Sequence, residues 1–271
     1  MKIFFIIFDI VIIIFALYIL ALKGRIKNKN IDKFLKWRYA HRGLHHKPTV
    51  PENSLAAFKA AVESGYAIEL DVHLMRDGNI AVIHDSSLKR TAGYDVKIED
   101  LTIPDLEKFK LEESNEKIPT LNQVLELVDG RVPLLVEIKT ENNCAAVTEK
   151  TVQILSEYKG DYLIESFDPR CILWLKKHAP DIVRGQLTQN FIKAKSGLKL
   201  ITRFLLSVLL FNFINSPDFI AVNYSDRKDL PITLATNLWG VKKFVWTVKD
   251  NNDLLKYEKE GFTPIFEQFN P

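Results

Sequence analysis

From residue 37 onward, short runs of β-branched and aromatic residues alternate with longer stretches whose apolar positions repeat at helical spacing. Such alternation is typical of βα units built around a parallel sheet. Eight runs have the length and composition of strands: Trp37–His41, Ala67–Val72, Leu134–Lys139, Tyr162–Phe167, Val183–Leu187, Phe219–Tyr224, Phe244–Val248 and Thr263–Glu267. Eight strands separated by helices predict an α/β fold of the closed (β/α)8 TIM barrel type.

A ninth β-type run, Ile80–His84, follows the second predicted strand after only a few residues. The Asp77-Gly78 pair before it is a strong signal for a tight hairpin turn. We therefore expect a small hairpin insertion over about residues 73–117, between the second strand and its helix, and not another barrel strand.

The N-terminus is an apolar run unlike the rest of the chain. From Ile3 to Leu22 the only charged side chain is Asp9, and a helix of this length spans the roughly 30 Å hydrocarbon core of a bilayer. Asp9 costs about 2.5–3.5 kcal/mol at the centre of such a helix, which the many Ile and Phe residues can offset. A cleaved signal peptide is the alternative, but Lys-Gly-Arg follows where a small-residue cleavage site would stand.

Basic residues cluster directly after the apolar run: Lys23, Arg25, Lys27, Lys29, Lys33, Lys36 and Arg38. Because positive charge marks the cytoplasmic side of a membrane helix, we expect a single-pass protein of the cell membrane whose main domain is cytoplasmic. The predicted organisation is a transmembrane anchor over 1–22, a basic linker over 23–35 and a barrel over 36–271. The lipid bilayer is thus a predicted partner.

Residues 191–215 combine a dense apolar block with three lysines and an arginine. The apolar part is too short to cross a bilayer. An amphipathic segment in the membrane interface, with basic residues towards anionic head groups, fits this composition. Helices packed on the barrel's own surface are the alternative.

The composition suits one large globular domain. The chain has 271 residues, of which 47% are hydrophobic and 26% charged. The net charge of +3 is small, and the clustering of basic residues argues against a nucleic-acid-binding surface. Cys144 and Cys171 lack metal-ligand spacing, so we expect buried free thiols and neither a zinc site nor a disulfide framework. No obligate protein partner is implied.

Three acidic residues stand where their side chains would meet. Glu69 and Asp71 are two positions apart on the second strand and point to the same face, and Glu137 lies on the third strand. The carboxyl ends of barrel strands converge on one pocket. Carboxylates gathered there repel one another unless a cation lies between them. Oxygen ligands without cysteine favour one divalent ion, Mg²⁺ or Ca²⁺, over zinc.

Histidine and basic residues accompany these carboxylates. His41 follows the first strand and His84 ends the hairpin run, and the ordinary pKa of histidine near neutrality suits them to general base and general acid roles. Arg42 and Lys139 supply positive charge for phosphate oxygens. Two further histidines nearby, His45 and His46, are expected to be polar surface residues, and His73 is expected to be a surface or supporting residue.

Residues 40–85 read AHRGLHHKPTVPENSLAAFKAAVESGYAIELDVHLMRDGNIAVIHD, which resembles the signature of the glycerophosphodiester phosphodiesterase family, whose members are TIM barrels related to phospholipase C. The similarity continues through LTIPDLEKF, IPTLNQVLELV, VEIK, ESFDPRCILWLKKHAPDIVRGQL and FVWTVKD in family order. It therefore covers nearly the whole chain after the apolar run.

The resemblance implies roles for individual residues. The family's metal ligands fall on Glu69, Asp71 and Glu137, and its catalytic histidines on His41 and His84. Its phosphate and substrate contacts fall on four further residues: Arg42, Lys139, Glu52 and Trp246, the last lining the glycerol side of the pocket.

The last predicted strand departs from the family pattern. Members commonly end it with an Ile-Thr-Asp-x-Pro-like stretch, whereas this chain reads Pro264-Ile-Phe-Glu-Gln-Phe-Asn-Pro271. The implied metal and histidine positions are untouched, so the departure bears on substrate preference and not on catalysis.

The resemblance implies a metal-dependent phosphoric diester hydrolase that cleaves glycerophosphodiesters to glycerol 3-phosphate and an alcohol, in phospholipid and glycerol metabolism. Together with the apolar N-terminus, it predicts a membrane-anchored enzyme. The alternative is a lysophospholipase D-type or sphingomyelinase-like lipid phosphodiesterase on the same barrel, which the anchor and the apolar segment favour. A non-catalytic membrane scaffold fits least well, since it would need neither both histidines nor all three carboxylates. Either water or a neighbouring glycerol hydroxyl could be the attacking group.

Overall fold

The computed structural model of the protein describes residues 1–25, 28–46, 49–141, 143–194 and 197–271. Lys27 of the basic linker, and Lys195 and Ser196 of the segment 191–215, lie outside the described residues.

Eight parallel strands close into a barrel, and a ninth strand joins it as an antiparallel extension. The strands are β1 (Tyr39–Ala40), β2 (Ala67–Leu74), β3 (Ile80–Val82), β4 (Leu134–Ile138), β5 (Tyr162–Ser166), β6 (Arg184–Thr188), β7 (Phe219–Asn223), β8 (Lys242–Val248) and β9 (Thr263–Phe266). The barrel closes because β1 pairs in parallel with both β2 and β9. The predicted (β/α)8 barrel is confirmed.

The helices lie outside the strands. They are α1 (Lys2–Ala21), α2 (Leu55–Glu63), α3 (Lys89–Ala92), α4 (Ile103–Leu106), α5 (Leu121–Val128), α6 (Cys144–Ser156), α7 (Pro169–His178), α8 (Leu200–Ser207), α9 (Asn212–Asn215), α10 (Leu230–Trp239) and α11 (Asn251–Lys259). Polar side chains cap several of them, as where Ser54 accepts from the Ala57 amide and Asp250 from the Asp253 amide. The apolar faces of the barrel helices are buried with the outward side chains of the strands in one large cluster.

The predicted hairpin is also confirmed. Residues Ile80–Val82 of β3 pair antiparallel with Val72–Leu74, the part of β2 that extends beyond the barrel. The insertion has a small core of its own, which includes Met75, Ile83 and Leu88. It therefore stands as a compact unit at the carboxyl end of the barrel.

The barrel interior is apolar near the amino ends of its strands. The rings of Tyr39 and Phe219 both contact Phe244, with centroids 5.5 and 4.5 Å apart. Ile31 and Phe34, from the predicted linker, are buried in the same cluster. These side chains fill the barrel interior at the amino ends of its strands.

The segment between α1 and β1 runs across the amino ends of the strands. The Arg25 amide donates to the carbonyl of Pro217, which precedes β7, at 2.8 Å. Lys33 pairs with Asp161, which precedes β5, at 2.5 Å. These contacts fix the point at which α1 joins the barrel.

The last turn of α1 packs on the outer shell at this same end. Tyr18 donates through its hydroxyl to the Val208 carbonyl at 3.1 Å, and the Trp239 indole donates to the Ile19 carbonyl at 2.7 Å. The preceding turns are exposed. Within the described ranges, α1 is the one helix long and apolar enough to cross a membrane.

The segment 191–215 contains α8 and α9 and lies beside the end of α1. Leu206 and Leu209 are buried against the barrel, whereas Leu200, Phe204 and Phe213 are exposed. Large apolar side chains therefore face outward next to the helix that could cross a membrane.

Gly185 of β6 lies at a position that faces the barrel interior. The ring of Phe219 occupies the space that a side chain at this position would need. A Cβ atom at this position would lie 2.1–2.6 Å from three atoms of that ring. We expect Gly185→Ala to destabilise the fold by about 1–3 kcal/mol, because overpacking a filled core forces neighbours to shift. Urea unfolding monitored by circular dichroism measures the change.

Gly197→Ala is the matched control, since a Cβ atom at this position would have no neighbour within 4 Å. Its unfolding free energy should stay within about 0.5 kcal/mol of the parent. A Gly185→Ala protein as stable as the control would contradict this packing of Phe219.

Candidate active site

Functional side chains collect at the carboxyl ends of three neighbouring strands. His41 follows β1, Glu69 and Asp71 lie on β2, and Glu137 lies on β4. Asp71 is paired in register with Glu137, so the two side chains point into the barrel side by side. Strand periodicity and parallel register thus bring residues that are distant in sequence into one pocket.

Three carboxylates form the centre of this pocket. Glu69, Asp71 and Glu137 are buried, and each offers an oxygen within 4.8 Å of the others. Burial, together with the charges of Asp71 and Glu137, raises the pKa of Glu69 well above its ordinary value. Burial also raises the pKa of Glu137 to about 7, against the opposing effect of Lys139. The cluster resists carrying its full negative charge without further cations.

Two protein cations contact this cluster. The Lys139 ammonium lies 3.0 Å from Asp71 Oδ1 and 2.6 Å from Glu137 Oε1. The Arg42 guanidinium lies 3.3 Å from Asp71 Oδ2 and donates to Glu52 at 2.8 Å. Burial alone would raise the pKa of Asp71, but Lys139 and Arg42 hold it well below its ordinary value.

His41 is held by two carboxylates. Its Nδ1 forms a 2.8 Å hydrogen bond with Glu267 Oε2, and its Nε2 lies 3.8 Å from Glu69. Burial lowers the pKa of His41, and the bond to Glu267 partly opposes that shift. A neutral His41 that donates Nδ1–H to Glu267 would leave Nε2 free to accept a proton.

His84 is oriented in the same way. Its Nδ1 forms a 2.6 Å hydrogen bond with Asp85 Oδ1, and Arg90 holds the other Asp85 oxygen at 2.5 Å. Burial lowers the pKa of His84 to about 4. Arg90 also donates to both oxygens of Glu52, so Glu52 and Asp85 are tied together beside the histidine.

The carboxylate cluster fits a hard divalent cation. Its donors are oxygens, it is buried, and the repulsion that raises the pKa of Glu69 is what a cation would relieve. Asp71 is further held by Asn53, whose Nδ2 donates to Oδ2 at 2.8 Å. These carboxylates are acidic residues that could hold a metal.

A cavity of about 100 Å³ adjoins the cluster. Six of the residues that line it belong to the predicted site, namely His41, Arg42, Glu69, His84, Glu137 and Lys139. The lining also includes Glu165 and the apolar side chains of Phe167, Leu187, Trp246 and Ile265. Trp246 lines this cavity, and its contact with the glycerol of a substrate stays a prediction.

A larger cleft of about 400 Å³ shares His41, Arg42 and Thr247 with this cavity. Its lining is mainly polar and includes Tyr224 and Lys249. The two spaces meet at His41, Arg42 and Thr247, and the cleft is the larger and more open of the two.

Sequence reasoning missed several residues of the site. Glu267 stands in the strand end that departs from the family pattern, and only the fold places it against His41. His45, expected near the surface, is buried with Nε2 3.9 Å from Glu267. His73 is buried too, and its Nε2 bonds the His84 carbonyl at 3.1 Å. The spacing of these residues carries no signal of such contacts.

Cys144 and Cys171 are buried and free. They come together with Asp168 within 4.8 Å of one another. Both Asp168 oxygens are already bound by Arg170, which leaves that carboxylate committed to an ion pair.

Solved structures share this fold. A phosphodiesterase from Oleispira antarctica, in complex with the product sn-glycerol-3-phosphate, is 23% identical, with a TM-score of 0.71 over 87% of this chain and 94% of that one. A glycerophosphodiester phosphodiesterase from Thermotoga maritima is 26% identical, with a TM-score of 0.63 over 84% of this chain and 92% of that one.

Proteins of similar sequence include phosphodiesterases as well. A glycerophosphodiester phosphodiesterase from Caldanaerobacter subterraneus subsp. tengcongensis is 32% identical over 239 residues, which are 83% of this chain and 91% of that one. Lysophospholipase D GDPD1 of Rattus norvegicus is 31% identical over 145 residues, 49% of this chain and 45% of that one. The model of the glycerophosphoryl diester phosphodiesterase family matches residues 41–269. The chain therefore belongs to the glycerophosphoryl diester phosphodiesterase family and is a phosphoric diester hydrolase.

Proposed function

We propose that the protein hydrolyses glycerophosphodiesters to glycerol 3-phosphate and an alcohol, with one divalent cation, Mg²⁺ or Ca²⁺, held by Glu69, Asp71 and Glu137. The observation that carries the proposal is the cluster of three buried carboxylates within 4.8 Å of one another. The names of the full-length relatives, glycerophosphodiester phosphodiesterases, support the substrate class.

The protein's own cations would position the phosphate. Lys139 and Arg42 are fixed by their ion pairs with Asp71 and Glu137, so their charge is already in place when substrate arrives. Arg42 offers a planar fork of donors and Lys139 a point charge to the phosphate oxygens. A bound divalent cation supplies Lewis-acid stabilisation of charge on the phosphoryl oxygens.

His41 and His84 would move the protons. One histidine, in its neutral form, takes the proton of the attacking oxygen at its Nε2, and the other, as the imidazolium, donates its Nε2 proton to the leaving alkoxide. Glu267 and Asp85 accept hydrogen bonds from the two Nδ1 atoms, which leaves the Nε2 atoms available for these transfers. The attacking oxygen belongs to water or to the neighbouring glycerol hydroxyl, and both routes use these residues.

We also propose that α1 anchors the enzyme in the cell membrane, with the barrel in the cytoplasm. The length and hydropathy of α1 support this, as does the cluster of basic residues that follows it. Arg25 and Lys33 of that cluster contact the amino end of the barrel.

The point of attachment favours water-soluble substrates. The end of α1 packs at the amino ends of the strands, whereas the catalytic pocket opens at the carboxyl ends. A diester that diffuses from solution can reach that pocket directly. Glycerophosphodiesters without acyl chains are therefore our preferred substrates.

A lysophospholipase D-type activity is the second candidate. The partial match to Lysophospholipase D GDPD1 and the exposed Leu200, Phe204 and Phe213 beside α1 favour it. A bilayer-facing surface next to the anchor would help an enzyme that works on lysophospholipids.

Glu69→Gln should abolish metal-dependent turnover. The full chain in detergent is expected to release glycerol 3-phosphate from glycerophosphocholine with Mg²⁺ or Ca²⁺ and to stop with a chelator. The variant should lose on the order of 10³-fold in kcat/KM, because it weakens the cation site. A coupled glycerol 3-phosphate assay measures both.

Glu126→Gln, on the exposed face of α5, is the control and should keep full activity. Faster turnover of lysophosphatidylcholine would select the second candidate. Equal activity of Glu69→Gln and the control would contradict the proposed role of the cluster.

Glu267→Gln should shift the pH profile. The bond to Glu267 raises the pKa of His41 against the lowering effect of burial, so its loss lowers that pKa further. The limb of the kcat/KM profile that reports His41 should move to lower pH, and kcat should fall on the order of 10²-fold. A profile of unchanged shape would show that Glu267 does not act through His41.

Deletion of residues 1–22 should release the protein from membranes. The remaining chain keeps Ile31 and Phe34, which are buried at the amino end of the barrel. We therefore expect a folded, soluble enzyme. Ultracentrifugation of lysed cells, with immunodetection of a tag after Pro271, measures the distribution.

The full chain should sediment with membranes, and its tag should be cleaved by protease only after the cells are opened. A truncated chain that stays in the membrane fraction would show that another surface anchors it. A tag cleaved on intact cells would contradict the cytoplasmic orientation.

A further inference from the structure

Glu165 is a buried carboxylate for which the mechanism above has no use. It lies on β5, in register with Glu137 on β4, so its side chain points into the barrel beside the metal-binding cluster. Its exposed fraction is 1%. It lines the 100 Å³ cavity together with charged residues of the site and with apolar side chains.

This carboxylate is incompletely satisfied within the protein. Its Oε2 has no hydrogen-bond partner in the part of the chain that the structure describes. Burial, then the charges of Glu137 and Asp71, raises the pKa of Glu165 well above its ordinary value, and Lys139 only partly opposes them. Buried polar groups are nearly always hydrogen-bonded, so a buried acceptor without a partner at a cavity wall indicates a ligand donor.

The surroundings of Glu165 suit a small polyol. Phe167 packs edge-on against Trp246, with centroids 5.6 Å apart, so the wall beside Glu165 is aromatic. The Trp246 indole N–H donates a hydrogen bond to the Ala221 carbonyl at 3.2 Å and is therefore not available to a ligand. Carbon-bound hydrogens can pack on this wall while hydroxyls donate to the carboxylate.

The sizes of the two spaces favour the glycerol in the smaller one. The cavity of about 100 Å³ suits the compact glycerol better than a bulky head group. The adjoining 400 Å³ cleft is open and polar and can take alcohols of different size. The smaller cavity is left for the part of the substrate that does not vary.

We propose that Glu165 accepts hydrogen bonds from the glycerol hydroxyls of the substrate and thereby selects glycerol diesters over diesters that lack those hydroxyls. The inference rests on the proposed function. Glu165 is not one of the three carboxylates whose oxygens lie within 4.8 Å of one another, which distinguishes it from the metal ligands. Because the acceptor Oε2 is buried, a substrate without the matching donor leaves it unpaired and is rejected.

The test compares two diesters in the full chain, Glu165→Gln, Glu165→Leu and the surface control Glu126→Gln. Glycerophosphocholine carries the hydroxyls and bis(4-nitrophenyl) phosphate does not. We expect Glu165→Leu to reduce kcat/KM for glycerophosphocholine about 10- to 100-fold more than for the nitrophenyl diester, and Glu165→Gln to do so less strongly. An equal loss on both diesters would overturn the inference.

Binding separates this inference from the proposed function. By calorimetry with Mg²⁺ present, the parent and the control should bind sn-glycerol 3-phosphate more tightly than inorganic phosphate, and Glu165→Leu should lose that preference. An unchanged preference overturns the role of Glu165 even if the enzyme turns over neither diester. Failure of the parent to hydrolyse glycerophosphocholine, with the preference present, contradicts the proposed reaction alone.

Stability gives an independent reading. Removing a buried carboxylate that has no full set of partners should raise the thermal midpoint of Glu165→Leu by about 2–4 °C. A lowered midpoint would mean that Glu165 serves the fold, and would overturn the inference.

Discussion

Electrostatic repulsion among Glu69, Asp71 and Glu137 is the constraint around which the carboxyl end of the barrel is arranged. Three carboxylates are buried within 4.8 Å of one another, and burial with mutual repulsion raises the pKa of Glu69 and Glu137. Neighbouring cationic residues offset the negative charge of these carboxylates. Lys139 bridges two of the carboxylates, and Arg42 spans from Asp71 to Glu52. In the proposed function the same two cations also bind the phosphate of the substrate, so one arrangement would serve both stability and binding.

The two ends of the barrel differ in composition and in role. The amino end is filled by Tyr39, Phe219 and Phe244 and closed by residues that precede β1, which provides a rigid apolar base. Charged groups can be gathered at the other end because they stand on strands held by that base. The attachment of α1 at the amino end leaves the pocket unobstructed.

Much of this arrangement could be predicted from the sequence. The alternation of strand and helix patterns predicted the eight barrel strands, and the Asp-Gly turn predicted the hairpin, because both depend on local spacing. The grouping of Glu69, Asp71 and Glu137 followed from period-two side-chain direction and from the convergence of strands. Those inferences need only the fold class.

The remaining features depend on contacts across the barrel, which spacing does not encode. Glu267 reaches His41 because β9 pairs with β1, 226 residues apart in sequence. The sequence around Glu165 predicts only a barrel strand. The register between β4 and β5 places Glu165 beside Glu137. Ile31 and Phe34 belong to a lysine-rich stretch that the sequence predicts to be a linker. Both are buried in the apolar cluster at the amino end of the barrel.

Thermal unfolding of the full chain, with chelator or with Mg²⁺ or Ca²⁺, tests most directly whether the carboxylate cluster holds a cation. A cation that binds only the folded chain stabilises it by about 2.7 kcal/mol at 100 times its dissociation constant. We predict a concentration-dependent rise in Tm for the parent and for Glu126→Gln, and none for Glu137→Gln. A parent chain whose Tm does not respond to either ion, or a Glu137→Gln chain that responds as the parent does, would contradict the account.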